Sequence, residues 1–589
     1  MNHKHLLFLV LLLSSMLLFA KEKTHPLGMN FKYPPLQEQN PSEENRTDTH
    51  ATLSQQLRET LNDRRSPLLR KIKDKRFLQK LYQNNQYRPL WITPEGGVSK
   101  RSQELFHAIE QDPTIDPKTT LHQEYLYLLK YFKSHDPKRD QLPLELKLSQ
   151  LHLDLLHHTL YGRINWQQFI WRLRAQRKHK IYANWVRYKA PYTLEELMLQ
   201  PNILTTIQSI TPKKFGYPAL LVSLQELRAI QAKGGWKKLP KFRRLELGDQ
   251  GDNVLKLRER LKASGDLQEC SPSTQELFEE EQDPHNIKFK PEATFDECLL
   301  TAVKRFQKRH GLLTDGIVGP ATIRSMNESV EQKIQRVLLN LDRIKWLPRE
   351  PYPRYLVVNI PEYMLHYIEG DQEKEKMRVI VGDPRHPTPI FSNEISYVVL
   401  NPYWKVPEGI VKREIIPAML EDPNYLNKQG LEIHETWSEY SPRIDPESIF
   451  WEDYADGTIK FPYRIMQPPG KKNALGKIKF KFPNRFDVYL HDTPTRYLFK
   501  RNKRAFSHGC VRLSEPKKLL EIIASFNPNI RLDKAEKILH GKRQKQIDIQ
   551  QKLPIDIVYL TAGFDLEQHQ REFRNDIYHY DKMQNVDKY

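Results

Sequence analysis

A multidomain α+β chain is predicted by three features of the sequence. Leucines recur at helical spacing within residues 51–238, and apolar and polar side chains alternate from residue 350 onward. Between these regions lies a glycine-punctuated run of three short helices at 242–328. A chain of 589 residues exceeds what one hydrophobic core sustains, so roughly two to four domains are expected. A hydrophobic content of 39% with 10% aromatics is enough to build them.

The chain begins with a basic Met-Asn-His-Lys-His run. Leu6 to Phe19 is then apolar apart from Ser14 and Ser15. This pattern reads as a signal segment over residues 1–20, short for a membrane span. Ala20 offers a cleavage position, while the bulky Leu18 two residues earlier leaves an uncleaved membrane anchor open. Residues 21–50 are polar with interspersed proline and read as a linker.

From 51 to 238 the period is helical. Leu144, Leu148, Leu151 and Leu155 fall on one helix face, and Leu146, Leu153 and Leu160 widen it enough to predict a buried helix. No catalytic constellation occurs here. After Leu245-Glu-Leu-Gly-Asp-Gln-Gly251, Val254, Leu257 and Leu261 predict one helix, and Leu299, Ala302, Val303 and Phe306 a second. The Thr314-Asp-Gly-Ile-Val-Gly-Pro-Ala-Thr322 turn then leads into a third short helix, Thr322 to Met326. An acidic insertion, 268–294, separates the first two helices. It carries Cys270, with Cys298 just beyond it.

In the region 350–535 the period becomes alternating. Tyr355–Ile360, Tyr363–Tyr367, Met377–Val381 and Ile395–Leu400 predict strands, the first two joined by a tight Pro361-Glu362 turn. Successive short strands without long helices between them predict an antiparallel sandwich or barrel. Residues 415–465 interrupt the rhythm with Pro, Glu, Asp, Tyr and Trp, and predict a lid rather than a plain loop. Asp487 to His491 predicts a strand ending at the histidine. A lysine-rich stretch covers 534–547, and Ile557–Leu560 predicts a late strand within a C-terminal segment, 550–589, that packs on the helical domain.

The chemistry concentrates in Ala505-Phe-Ser-His-Gly-Cys-Val-Arg-Leu513. A cysteine nucleophile needs a base within hydrogen-bond reach, and a strand tip at His491 facing the glycine-bent loop at Cys510 supplies one. Against this stands the reading of Cys510 as a buried small hydrophobe and His491 as a core histidine. The Ser507-His508-Gly509-Cys510-x-Arg512 loop and the His491-Asp-Thr-Pro494 turn together resemble the signature of the L,D-transpeptidase (YkuD-type) family. Asn401-Pro-Tyr-Trp-Lys-Val-Pro407 is similar to a further element of that family. Phe306–Leu312 and Asp315–Thr322 are similar to the peptidoglycan-binding type 1 domain. Tyr87-Arg-Pro-Leu-Trp91, Leu160-Tyr-Gly-Arg-Ile164 and Gly234-Gly-Trp236 resemble landmarks of the scaffold domain in large Gram-negative L,D-transpeptidases.

This resemblance implies a periplasmic enzyme whose mainly β catalytic domain forms peptidoglycan crosslinks through a cysteine thioester. Its donor is a tetrapeptide stem and its acceptor the side-chain amine of diaminopimelate, with no cofactor. An L,D-carboxypeptidase using the same residues is the alternative, and a non-catalytic wall-binding protein the rival. Cys510 and His491 are expected to rest as thiolate and imidazolium, because an imidazolium neighbour lowers a thiol pKa by several units. Backbone N–H groups at Gly509 and Cys510 are the oxyanion candidates, with His508 and Ser507 shaping the loop. Asp492, next to His491 on a strand, should point to the opposite face, so a backbone carbonyl is expected to orient the imidazole. Arg512 either holds a substrate carboxylate or braces the loop on an acidic neighbour. Tyr489 shares the face of His491 and, with Trp404, is a candidate cleft wall. In an exported chain Cys270 and Cys298 are expected to pair, leaving Cys510 free. Zinc is disfavoured, since His491, His508 and Cys510 fall short of four ligands and a bound thiolate is lost as nucleophile. The net charge of +20 suits an anionic polymer. Export and the lack of a recognition motif argue against nucleic acid.

Overall fold

The computed structural model describes residues 48–93, 97, 99–134, 141–268, 291–349, 352–565, 568 and 570–584. The signal and linker expectations for 1–50 lie almost wholly outside the described residues, and so does Cys270. Among the described residues no helix is long and apolar enough to cross a membrane.

The chain divides into two compact units, residues 1–99 with 136–145, and residues 100–135 with 146–589. In the first, the buried Glu145 carboxylate accepts the Tyr82 hydroxyl at 2.6 Å and the Trp91 and Ile92 amides at 3.1 Å. Those donors hold a charge that burial alone would expel.

The second unit holds everything that positions the site. The leucine-rich helix runs Gln141–Tyr161, its residues from 146 onward falling in this unit, and all seven predicted leucines are buried. The small module forms helices Asp252–Ala263, Glu297–Arg309 and Pro320–Met326, as the glycine pattern predicts. Its motif residues are tied together by Gln307, which is 1% exposed. The Gln307 amide donates to Asp315 Oδ1 at 2.9 Å, Ile317 O at 3.0 Å and Thr322 Oγ1 at 3.3 Å, and its oxygen accepts the Gly316 amide at 2.8 Å. One buried glutamine thus fixes the Asp-Gly turn and the entry to the third helix. Cys298 is bonded in a disulfide, and Cys510 is the free cysteine among the described residues.

The strand-rich region contains β1 (Arg354–Asn359), β2 (Met364–Glu369), β3 (Gln372–Gly382), β4 (Phe391–Leu400), β5 (Trp404–Lys405), β6 (Glu432–His434) and β7 (Arg443–Ile444). It continues with β8 (Arg464–Gln467), β9 (Ile478–Lys481), β10 (Leu490–His491), β11 (Ala505–Ser507), β12 (Val511–Leu513) and β13 (Lys545–Val558). The main sheet runs β11-β3-β12-β10-β9-β4-β13-β1-β2, and β2 pairs again with β3. Eight strands therefore close into a ring, which leaves the sheet few open edges. The ring is not purely antiparallel, because β1–β13, β10–β12 and β11–β3 are parallel pairs.

Two boundaries differ from the sequence-based expectation. The strand-rich fold expected at 350–535 does not stop at 535, since β13 fills the sheet between β4 and β1. Residues 550–558 therefore belong to the sheet, and the segment reaches the helical region both from the sheet, where Asp556 pairs with Lys214 at 2.7 Å, and from the tail beyond it, where Arg172 donates to Met583 O at 2.6 Å. The lid also begins earlier than 415. β5, β6, β7 and β8 form a separate four-stranded sheet. Together with helices Ile416–Glu421 and Tyr425–Gln429 it encloses a core of its own that includes Val406, Val411, Ile415, Met419, Leu426 and Ile465. Burying some ten large apolar side chains at about 1.5–3 kcal/mol each makes this a folded lobe rather than a loop.

The helix Val330–Ile344 leads into the ring and is capped by a Ser329–Gln332 capping box. Asn340 on it accepts the Thr561 amide at 2.8 Å, Arg343 pairs with Asp581 at 2.8 Å, and Trp346 just beyond donates to Tyr161 O at 2.9 Å. One buried turn thus links the final strand, the C-terminal tail and the helical region.

Candidate active site

Cys510 lies between β11 and β12, where Gly509 takes a φ of +113°, a backbone conformation that a side chain would strain. Ser507 Oγ accepts the Gly509 amide at 3.2 Å and donates to Cys510 O at 2.5 Å. From outside the loop, Thr388 Oγ1 donates to Gly509 O at 2.9 Å and accepts the Gly382 amide at 2.9 Å. Tyr578 of the C-terminal tail completes the brace by donating to Gly382 O at 2.6 Å. No side chain fits at Gly382, where a Cβ would meet His386 O at 2.1 Å and the Gly509 Cα at 3.1 Å.

β10 lies parallel to β12, with Leu490 opposite Val511 and His491 opposite Arg512, and the Val511 amide donates to Tyr489 O at 3.1 Å. Alternation along the two strands puts Tyr489, His491, Cys510 and Arg512 on one face. The strand expected from Asp487 is shorter than predicted. Asp487 has a φ of +51° and lies in a turn, so only Leu490 and His491 join the ladder.

The imidazole is held by a backbone carbonyl, His491 Nδ1 lying 2.5 Å from Asp492 O. The Asp492 side chain turns away, accepting the Lys477 amide at 2.9 Å and pairing with Arg496 at 3.1 Å. The Tyr489 ring packs edge-on against His491 with centroids 5.6 Å apart. The thiol points at Asp487 O, 3.9 Å away. Among the described residues no hydrogen bond joins Cys510 directly to His491.

The resting charge state departs from the thiolate–imidazolium expectation. Burial, reinforced by the Arg512 cation, pushes His491 down to about 3, and burial pushes the Cys510 thiol up. Both groups are neutral near pH 7, because each has lost water without gaining the other as a direct partner. Arg512 donates to Thr495 Oγ1 at 3.3 Å, and its Nε is buried with no partner. No acidic neighbour among the described residues braces it, which removes one of its two expected roles. The Gly509 amide is taken by Ser507, so of the two expected oxyanion donors only the Cys510 N–H is unengaged.

His508 reaches out of the loop to Glu414 Oε1 on the lid at 2.7 Å, and its ring lies 4.5 Å from that of His386. Trp404 does not join Tyr489 in a ring contact among the described residues. It packs against the lid core instead.

Lys479 is a site residue that the sequence did not mark. On β9 it pairs with His491, and its ammonium sits 3.8 Å from the centre of the Tyr489 ring. Burial, with Lys481 nearby, lowers it to about 8, while the thiol acts to raise it. A lysine alternating with Phe480 and Phe482 reads in sequence as an ordinary outward strand position. Its only signal is the Lys-Phe-Lys-Phe run shortly before the His491 strand.

Comparison with known proteins follows this geometry. Residues 353–531 match the YkuD model, the L,D-transpeptidase catalytic domain. Residues 76–224 match the Scaffold domain, and residues 250–326 match the domain described as "Putative peptidoglycan binding domain". A Haemophilus influenzae protein named "Putative L,D-transpeptidase" is 33% identical over 252 residues, covering 43% of this chain and 49% of the relative. The chain thus spans about half the length of that relative. Among solved structures, an L,D-transpeptidase fragment from Xylanimonas cellulosilytica is 14% identical, covering 54% of this chain and 99% of that one, with a TM-score of 0.16. L,D-transpeptidase 3 of Mycobacterium tuberculosis, solved with a faropenem-derived adduct, is 13% identical, covering 35% of this chain and 60% of that one, with a TM-score of 0.17.

Proposed function

We propose that this chain, which carries an L,D-transpeptidase catalytic domain at residues 353–531, crosslinks peptidoglycan stem peptides in the periplasm through an acyl-cysteine intermediate. The observation that carries the reading is the common face of Cys510, Tyr489, His491 and Arg512 on two paired strands, with Cys510 the free thiol among the described residues. Neutral His491 accepts the thiol proton as sulfur attacks the carbonyl between the third residue of a tetrapeptide stem and its terminal D-alanine. The Cys510 N–H meets the developing oxyanion. The imidazolium gives its proton to the departing D-alanine amine, leaving a thioester. The side-chain amine of diaminopimelate in a second stem then attacks, surrendering its proton to His491, and cysteine departs and is reprotonated. Arg512 supplies a guanidinium for a stem carboxylate, as its unpartnered Nε suggests. The 250–326 module would keep the enzyme on its polymer.

The test is mass spectrometry of purified disaccharide tetrapeptides incubated with the chain. A dimer lighter by one alanine is expected, together with a thioester adduct on Cys510 that Cys510→Ala lacks. Release of alanine with only tripeptide formed would replace transfer by hydrolysis. Dimer formation by Cys510→Ala would end the cysteine mechanism.

A further inference from the structure

Away from the thiol, a cavity of about 340 Å³ opens where the segment after the scaffold helix Trp166–Ala175 meets the catalytic ring. The segment is fixed there by an isolated β-bridge between Trp185 and Ile390. The Val186 amide donates to Ile390 O at 2.9 Å and the Ile390 amide to Asn184 O at 3.0 Å. Tyr161, Trp166 and Tyr188 furnish aromatic walls, and Arg174, Arg187, Lys189 and Arg485 furnish the charge.

Three features mark it as a site. No carboxylate lines it, and among the described residues none of its four cations has an ion-pair partner. The Arg187 guanidinium is held 4.6 Å from the Tyr161 ring centre and 5.1 Å from that of Trp166, so it is preorganised on an aromatic corner rather than waving in solvent. The indole N–H of Trp185, 6% exposed, is buried at the wall with no partner, a donor left unmatched by the protein.

We infer that this cavity binds a carboxylate-bearing saccharide, its sugar face against the aromatic wall and its carboxylate on the guanidinium cluster. The volume lies in the range of small-ligand pockets, which commonly form where domains meet. An aromatic face suits the C–H surface of a pyranose, and a planar guanidinium suits a carboxylate in a bidentate pair. Arg485 belongs to the connection between β9 and β10, two residues before Asp487, whose carbonyl lies 3.9 Å from the Cys510 thiol. The choice of sugar rests on the proposed wall substrate, whereas the binding site itself does not.

Calorimetric titration of the full chain with N-acetylglucosaminyl-N-acetylmuramic acid tests the inference, since that disaccharide has a free carboxylate and no stem peptide to occupy the active site. N,N′-diacetylchitobiose, its uncharged counterpart, and inorganic phosphate are the comparison ligands. Binding of the acidic disaccharide is expected, weakened at least about tenfold in diacetylchitobiose and in Arg174→Glu/Lys189→Glu, with turnover of a sugar-free tetrapeptide unchanged in that variant. Cys510→Ala should bind it like the wild type, so that failure of the catalytic reading leaves this result standing. Equal binding of diacetylchitobiose, displacement by phosphate alone, or undiminished binding by the charge-reversed variant would overturn the inference.

Discussion

Glu414 on the lid and His508 on the catalytic loop are joined by a 2.7 Å contact between carboxylate and imidazole. Both side chains are more than a third exposed, so the pair is worth at most about 1 kcal/mol. It nevertheless ties a lobe with its own core to the residue two before Cys510. Glu414→Ala should raise amide hydrogen exchange across 411–421 severalfold without lowering the melting temperature of the ring. Unchanged protection there would mean that the lid core, and not this contact, holds the lobe in place.

The neutral resting pair predicts an alkylation profile. With the thiol above its ordinary pKa, the thiolate fraction of Cys510 at pH 7 falls below that of a free cysteine. Iodoacetamide labelling of the unliganded chain should therefore be slower than that of a model thiol and keep rising through pH 9. A plateau between pH 5 and 7 would restore the thiolate–imidazolium pair.

The same burial makes a stability prediction of definite sign. The unfolded chain takes up a proton on His491 near the usual 6.5, which the folded chain refuses until about 3. Stability from this residue is complete above pH 6.5 and is lost as pH falls through that window, by about 4–5 kcal/mol in all. Denaturant titrations at pH 7 and pH 4.5 should show a smaller acid loss in His491→Ala than in the wild type. Equal losses would mean that the ring protonates in the folded state.

Lys479 should govern the Cys510 thiol through its charge. Its ammonium is the cation that acts to lower the Cys510 pKa, and it weakens as pH rises through about 8. Lys479→Met should slow alkylation at pH 7.5 and cut kcat/KM by about tenfold, with Lys479→Arg recovering most of it. Full activity in Lys479→Met would reduce this lysine to a packing residue over Tyr489.

Much of this was legible in the sequence wherever local pattern decides structure. The strands β1 to β4, the three-helix module and the shared face of Tyr489 and His491 all follow from period and glycine placement. Non-local pairing was not legible. β13 looks like an isolated late run, because nothing in Ile555-Asp-Ile-Val558 announces that it will pair with β4 and β1. The charge state failed for a related reason. Sequence shows which groups meet, whereas the pKa of His491 depends first on how much water the fold removes and then on the Arg512 and Lys479 cations that two other segments bring beside it.

Gly382 tests the brace beneath the loop. A methyl group there would sit 2.1 Å from His386 O and 2.7 Å from the Thr388 amide, both backbone atoms that cannot swing away. Gly382→Ala should cost about 2–4 kcal/mol of stability and displace Gly509, lowering turnover more than substrate affinity. Tyr578→Phe removes the hydroxyl that donates to Gly382 O and accepts the Thr388 amide, so it should reproduce the turnover defect more weakly, at about 1–2 kcal/mol. Wild-type turnover in a folded Gly382→Ala would show that the loop does not depend on this close approach.

Asp492 separates a triad from a pair. Its backbone carbonyl holds His491 Nδ1, which every substitution retains, while its carboxylate serves the Lys477 amide and Arg496 on the far side. Asp492→Ala should therefore keep kcat within about threefold and lose about 1 kcal/mol of stability from the unpaired Lys477 amide. Asp492→Asn keeps an acceptor for that amide and should recover most of the stability. A loss of a thousandfold or more in kcat in both variants, with the fold intact, would mean that the carboxylate turns toward the imidazole during turnover. Loss in Asp492→Ala alone, tracking its lower melting temperature, would assign the effect to the far-side contacts.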